Sequence, residues 1–172
     1  DAQARAAVLP DKILDRELAE ADRLIGELDN SGVEQMKELV NQKYTTSDTQ
    51  MYENIMARAG KWSEKQNYGA AAALYLVLKE AGYEPAVVPF GEAMTAYVQE
   101  RMAEGRYGDA EWLIEEYLSD YEEANSLKNE CDYQITLERQ AWGSKWAQYA
   151  YDAFKALGDY KDSAERAAAY EN

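Results

Sequence analysis

The chain has 172 residues, 33 acidic against 18 basic, for a net charge of −15, with no histidine and a single cysteine. That inventory excludes an intramolecular disulfide, His-ligated zinc and the Ser-His and Cys-His nucleophilic arrangements, and its charge repels phosphate backbones, so nucleic acid is not an expected partner. Strong core formers are scarce, with Leu, Ile, Val and Phe at 14, 5, 7 and 2, while 28 Ala, 14 Tyr and 4 Trp stand in for them; with 3 Pro and 10 Gly this reads as an ordered, helix-rich chain.

Helical periodicity runs almost throughout and no β-branched alternation supports a strand, so the predicted fold is all-α with about nine helices. The first is predicted over 11–28 and ends at Asp29-Asn30-Ser31-Gly32, a turn that also caps the second, 32–43. Residues 1–43 are expected to form an N-terminal capping pair, and 44–172 the repeats of the same single domain, 1–172. Ser47 and Asp48 are placed to cap a third helix, 48–60. The fourth, 66–81, contains the most apolar stretch, Ala70 to Leu78, which is half alanine and too short to cross a membrane. Pro85 and Pro89 bracket the longest interhelical loop, and helices follow at 89–104, 107–118, 120–141, 146–157 and 159–171. In the sixth, Tyr107, Ala110, Ile114, Tyr117 and Leu118 make one buried stripe. In the seventh, Ala124, Leu127, Cys131 and Ile135 make one stripe and Tyr133, Leu137 and Ala141 another, as expected for a helix covered on two sides. Cys131 therefore reads as a small buried hydrophobe.

One interval links several of these landmarks. Tyr68-Gly69-x-Ala71 recurs as Tyr107-Gly108-x-Ala110, an offset of 39, and the same offset taken again brings Trp146-Ala147. Leu118-Ser119-Asp120-Tyr121 recurs at that offset as Leu157-Gly158-Asp159-Tyr160, and Tyr44 stands in the same relation to Tyr83. Two helices and two turns fit in about 40 residues, which predicts a right-handed α-hairpin solenoid with a repeat of about 39 residues. Ala71 and Ala110 then sit where neighbouring backbones approach, and Ala72 is expected to be freer.

Gly105-Arg106-Tyr107-Gly108-Asp109-Ala110 followed by Ile114 resembles the start of the second helix of a tetratricopeptide-like repeat. Leu118-Ser119-Asp120-Tyr121, Glu130-Cys131-Asp132-Tyr133 and Leu157 to Ser163 resemble a degenerate bacterial version built on Leu-Gly-Asp-Tyr-Lys-Asp-Ser. The likeness runs from about position 66 to the end; the unit is longer than the family's, at about 39 against about 34 residues, and lacks a closing proline. The resemblance implies a protein-binding scaffold, in that bacterial version often extracytoplasmic or at the cell surface. It also implies an inner groove lined by the first helix of each hairpin. Counting back from Gly105 places Glu92, Thr95, Gln99 and Met102 in that groove, and the count before Trp146 adds Gln134 and Glu138. Such a polar groove with one flexible Met suits an extended peptide.

Asp109 to Glu123 holds seven acidic residues and no basic one; Glu111, Glu115, Glu116, Glu122 and Glu123 are its core. This run reads either as a solvated outer face or as a contact surface for a basic protein or peptide. Trp112 and Tyr151 fall off the main stripes and read as residues packed on a flanking hairpin or as exposed anchors. No Gly-rich phosphate loop occurs, and Asp159-Tyr160-Lys161 puts a lysine where an EF-hand needs a ligand, so no cofactor or metal is expected. Paired carboxylates are too numerous to mark a catalytic pair. A protein- or peptide-binding scaffold without catalysis is the expected function, ahead of a structural spacer within a larger surface protein and then a carboxylate-dependent enzyme.

Overall fold

The computed structural model describes the backbone of residues 2–27, 29–41 and 48–171, and the side chains among these from residue 12 onward, Asp48 excepted. Tyr44 and the expected cap residue Ser47 lie outside the described residues. Among the described residues there are nine α-helices and no strand: α1 Ala2–Gly26, α2 Asn30–Asn41, α3 Asp48–Glu64, α4 Tyr68–Glu80, α5 Val87–Ala103, α6 Tyr107–Leu113, α7 Ala124–Ala141, α8 Ala147–Leu157 and α9 Ser163–Ala168. Short 3-10 turns precede α5 (Glu84–Ala86) and α8 (Ser144–Trp146), and α6 runs on into a π-helical turn, Ile114–Leu118.

The boundaries depart from expectation for local reasons. The alanine-rich segment before Pro10 has the propensity to continue α1 backward to Ala2. Pro89 lies in the first turn of α5, where its missing N–H would have no intrahelical partner anyway, so the helix opens at Val87 instead. Asp120 to Glu123 form a turn instead of the first turn of α7, and α9 is only six residues long.

The chain forms two compact units, Asp1–Tyr97 and Val98–Asn172. In the first, α1 pairs with α2 and α3 with α4, while α2 also lies against α4. Gly32 sets the α1–α2 approach: a Cβ there would stand 2.7 Å from the Ala21 carbonyl oxygen and the Ile25 nitrogen. α3 is tied to α1 through Asp22, which accepts from the Trp62 indole N–H at 2.6 Å and pairs with Arg58 at 3.3 Å. Leu18, Met36, Ile55, Leu74 and Leu78 are fully enclosed around these helices. Ala70, Ala71 and Ala72 are buried as well, so Ala72 is no freer than its neighbour.

In the second unit α7 packs on α6 and its π turn, α8 on α7, and α9 on α8. The expected stripes of α6 and α7 are inward except at Ala141, which the end of the helix leaves exposed. Tyr133, Ala150, Phe154 and Ala167 form a core with Leu137, Tyr160 and Tyr170 around it.

The sequence interval is visible in the backbone. Before α4, Gln66 and Asn67 donate to the carbonyls of Ser63 and Trp62, and Ala71 to that of Asn67; before α6, Gly105, Arg106 and Ala110 make the same three bonds to Met102, Arg101 and Arg106. Each bond has its counterpart at the offset read from the sequence, and Gln66 and Gly105 share a positive φ, 59° and 74°. Similarly Tyr121 and Ala124 donate to Leu118 and Tyr121, as Tyr160 and Ser163 do to Leu157 and Tyr160. The turn between α7 and α8 breaks the interval. From the end of α5 at Ala103 to the end of α7 at Ala141 the offset is 38, whereas from the start of α6 at Tyr107 to the start of α8 at Ala147 it is 40. Two extra residues are accommodated there, and Gly143 takes a φ of 104° that side-chain-bearing residues rarely adopt.

Candidate functional site

The expected groove residues fall on two helices. Along one stripe of α5, Glu92 and Gln99 are exposed and Thr95 and Met102 half-buried; Glu92 and Thr95 belong to the first unit, Gln99 and Met102 to the second. On α7, Glu138 is exposed, and Gln134 is half-buried with its amide donating to Glu130 Oε1 at 2.8 Å. Because the turn ahead of α8 is two residues longer than its counterparts, a count back from Trp146 does not transfer from α5 to α7 in one register.

The acidic run is partly engaged by cations that local sequence does not show. Asp109 pairs with Arg106, and Lys128, reaching back from α7, lies 2.6 Å from Glu115, 3.6 Å from Glu111 and 3.8 Å from Asp132. Burial and the neighbouring Asp132 push the Glu111 carboxyl up. Burial alone would lower Lys128, but Glu115, Asp132 and Glu111 outweigh it and raise the ammonium. Glu116, Glu122 and Glu123 are exposed. Beside this cluster the Cys131 thiol is buried and pushed up to about 11, first by burial and then by the carboxylates of Glu111, Asp132 and Glu130, so it stays protonated at neutral pH.

Between α7 and α9 the contacts are structural in character. Tyr133 Oη donates to Asp162 Oδ1 at 2.6 Å, and Arg166 pairs with the same carboxylate at 2.9 Å. Glu130 accepts from Tyr160 at 2.6 Å and from Lys161 at 2.5 Å. Burial would raise Glu130, yet these two donors and Gln134 hold it down at about 2.

The most unusual surface is the long turn between α7 and α8. Trp142 is 61% exposed and Tyr149 36% exposed, with Trp146 between them: its ring centroid is 5.5 Å from that of Trp142 and 6.0 Å from that of Tyr149, both edge-on. Arg139 holds its guanidinium 4.5 Å from the Tyr149 ring, and the Lys145 ammonium lies 5.8 Å from the Trp146 ring. Neither cation has a carboxylate within ion-pair distance among the described residues; Lys155, which donates to Tyr151 Oη, has none either, while Arg101, Arg106, Lys128, Lys161 and Arg166 in the same unit each do. The indole N–H of Trp146 is enclosed without an acceptor among the described residues. Sequence reading missed this corner, although Arg139, Trp142, Trp146 and Tyr149 follow one another at spacings of three, four and three. Of the two aromatic residues singled out from sequence, Trp112 is 56% exposed with its ring edge-on to Tyr117, whereas Tyr151 is half-buried and donates to Glu171.

Among the described residues no cluster of His, Cys, Asp and Glu is arranged to hold a metal ion, and no helix is long and apolar enough to cross a membrane. No family model matches the chain, and neither the curated proteins nor the solved structures include a match to it.

Proposed function

We propose that this chain is a non-catalytic protein- or peptide-binding scaffold whose helical hairpins stack as a right-handed solenoid of the tetratricopeptide-like kind. The observation that carries the reading is the α7–α8 corner. Exposed indole and phenol rings beside a pre-placed guanidinium are the residue types that dominate binding energy at protein interfaces, because they offer large contact area at low ordering cost. A buried core residue needs no such exposure, and the corresponding turns before α4 and α6 keep their rings, Trp62, Tyr68 and Tyr107, half-buried.

The reading is tested by affinity capture from the source cell's own fractions with wild type and with Trp142→Ala/Tyr149→Ala, using Ile13→Ser as a surface control. A partner retained by the control and lost by the corner variant supports it, and the absence of any partner at low salt favours the spacer. The solenoid is tested by solution scattering: a radius of gyration at or below about 16 Å, the compact value for this length, counts against it.

A further inference from the structure

Resting on that binding reading, we propose that the α7–α8 corner recognises an acidic, extended peptide segment of a partner protein. The chain carries a net charge of −15, yet Arg139 and Lys145 stand at this corner with no carboxylate within ion-pair distance among the described residues. Other cations, Lys155 among them, also stand outside the ion pairs, but Arg139 and Lys145 are brought to one aromatic cluster, each 5.8 Å from the Trp146 ring, and make a local site of positive charge. An anionic segment is what complements it.

Geometry adds a second condition. Arg139 is held against the Tyr149 face, so its planar fork is ordered before any ligand arrives and less freedom is lost on forming a bidentate bond to a carboxylate. Trp142 exposes a flat apolar surface next to it, suited to a proline or aliphatic side chain between acidic positions. Glu138 is exposed and lies one helical turn before Trp142, so the corner carries one carboxylate of its own beside the two cations. At 0.15 M salt interactions beyond about 8 Å are largely screened, so charges near the corner outweigh the net charge of the chain. The corner also coincides with the two-residue lengthening of the repeated turn, and insertions in repeat proteins collect on one face, often the binding face.

The test uses the full chain at 0.15 M salt and three blocked decapeptides, alternating Pro with Glu, Gln or Lys, read by tryptophan fluorescence and calorimetry. Polygalacturonate serves as an anionic chain that is not a peptide. The Glu peptide is expected to bind at least about tenfold tighter than the Gln peptide, and Arg139→Gln/Lys145→Gln to abolish that preference without moving the thermal midpoint. Trp142→Phe should keep the preference and Trp142→Ala should weaken both peptides. Equal binding of the Glu and Gln peptides overturns the charge assignment and leaves the binding scaffold standing. Preference for polygalacturonate, or a preference that survives the double variant, overturns the assignment too. Absence of binding by all probes overturns the corner as a peptide site, while the capture experiment above separately judges the scaffold.

Discussion

Ala71 and Ala110 stand one repeat interval apart and are treated alike by the fold: neither has accessible surface, and each donates its N–H over 3.1 Å to the carbonyl one helical turn earlier, Asn67 and Arg106 respectively. Both sit one turn into a helix, where a methyl group leaves room for a neighbour and anything larger must displace it. Ala110→Leu is therefore expected to destabilise by about 1 to 3 kcal/mol through overpacking, with Ala71→Leu alike in sign and size. Urea denaturation measures both; a wild-type midpoint for Ala110→Leu would show that α6 can move aside.

Glu130 links α7 to the turn ahead of α9. A carboxyl that ordinarily titrates at 4.5 and is held down at about 2 in the fold adds stability at pH values above the unfolded value, and that stability is lost as pH falls from there toward 2. With the side chain about a quarter exposed, the contribution is on the order of 2 kcal/mol at neutral pH. Thermal melts between pH 7 and pH 2.5 should show Glu130→Gln well below wild type at the upper end and converging with it at the lower.

Glu111 works in the opposite sense. Its carboxyl is raised by burial and by Asp132, so the folded state favours the protonated form and is penalised at neutral pH. Glu111→Gln should raise the thermal midpoint at pH 7 and lose that advantage as the pH falls into the range where wild type protonates. A lower midpoint at pH 7 would mean that its ion pair with Lys128 outweighs burial.

Cys131 combines enclosure with a thiol pushed up to about 11. Native protein at pH 8 should leave an aromatic disulfide reagent unconsumed over hours, and stoichiometric reaction should appear only as urea unfolds the second unit. Rapid reaction in the absence of denaturant would point to local opening around α7.

Much of the fold is legible in the sequence because its punctuation is local. Gly105 and Asp29-Asn30-Ser31 end or begin helices through backbone preferences that depend on neighbours in the chain, and the interval from Tyr68 to Tyr107 reappears as shared hydrogen bonds. The corner is not legible from the same rules, since a count from Tyr107 to Trp146 assumes a constant turn length and the turn at Gly143 is longer. The acidic run is a different case. Asp109 to Glu123 contains no cation, but tertiary structure brings Lys128 onto it from the next helix, and a window-by-window reading does not register a partner so far along the chain. Trp112 shows the limit of periodicity: its position off the stripe is clear, yet whether another helix covers it depends on the arrangement of the whole unit.

The π-turn partner, the Lys128 cluster, the Glu130 and Tyr133 bonds and the Arg139 stack are all borne by α7. Both the acidic end and the aromatic end of this unit thus depend on contacts made by one helix. Amide exchange in the middle of α7 should accordingly proceed only through opening of the whole unit, whereas the first and last turns of its neighbours exchange by fraying. The 18 residues of α7 make a rod about 27 Å long at about 1.5 Å per residue, with the Lys128 carboxylates gathered near its start and the Arg139 stack near its end.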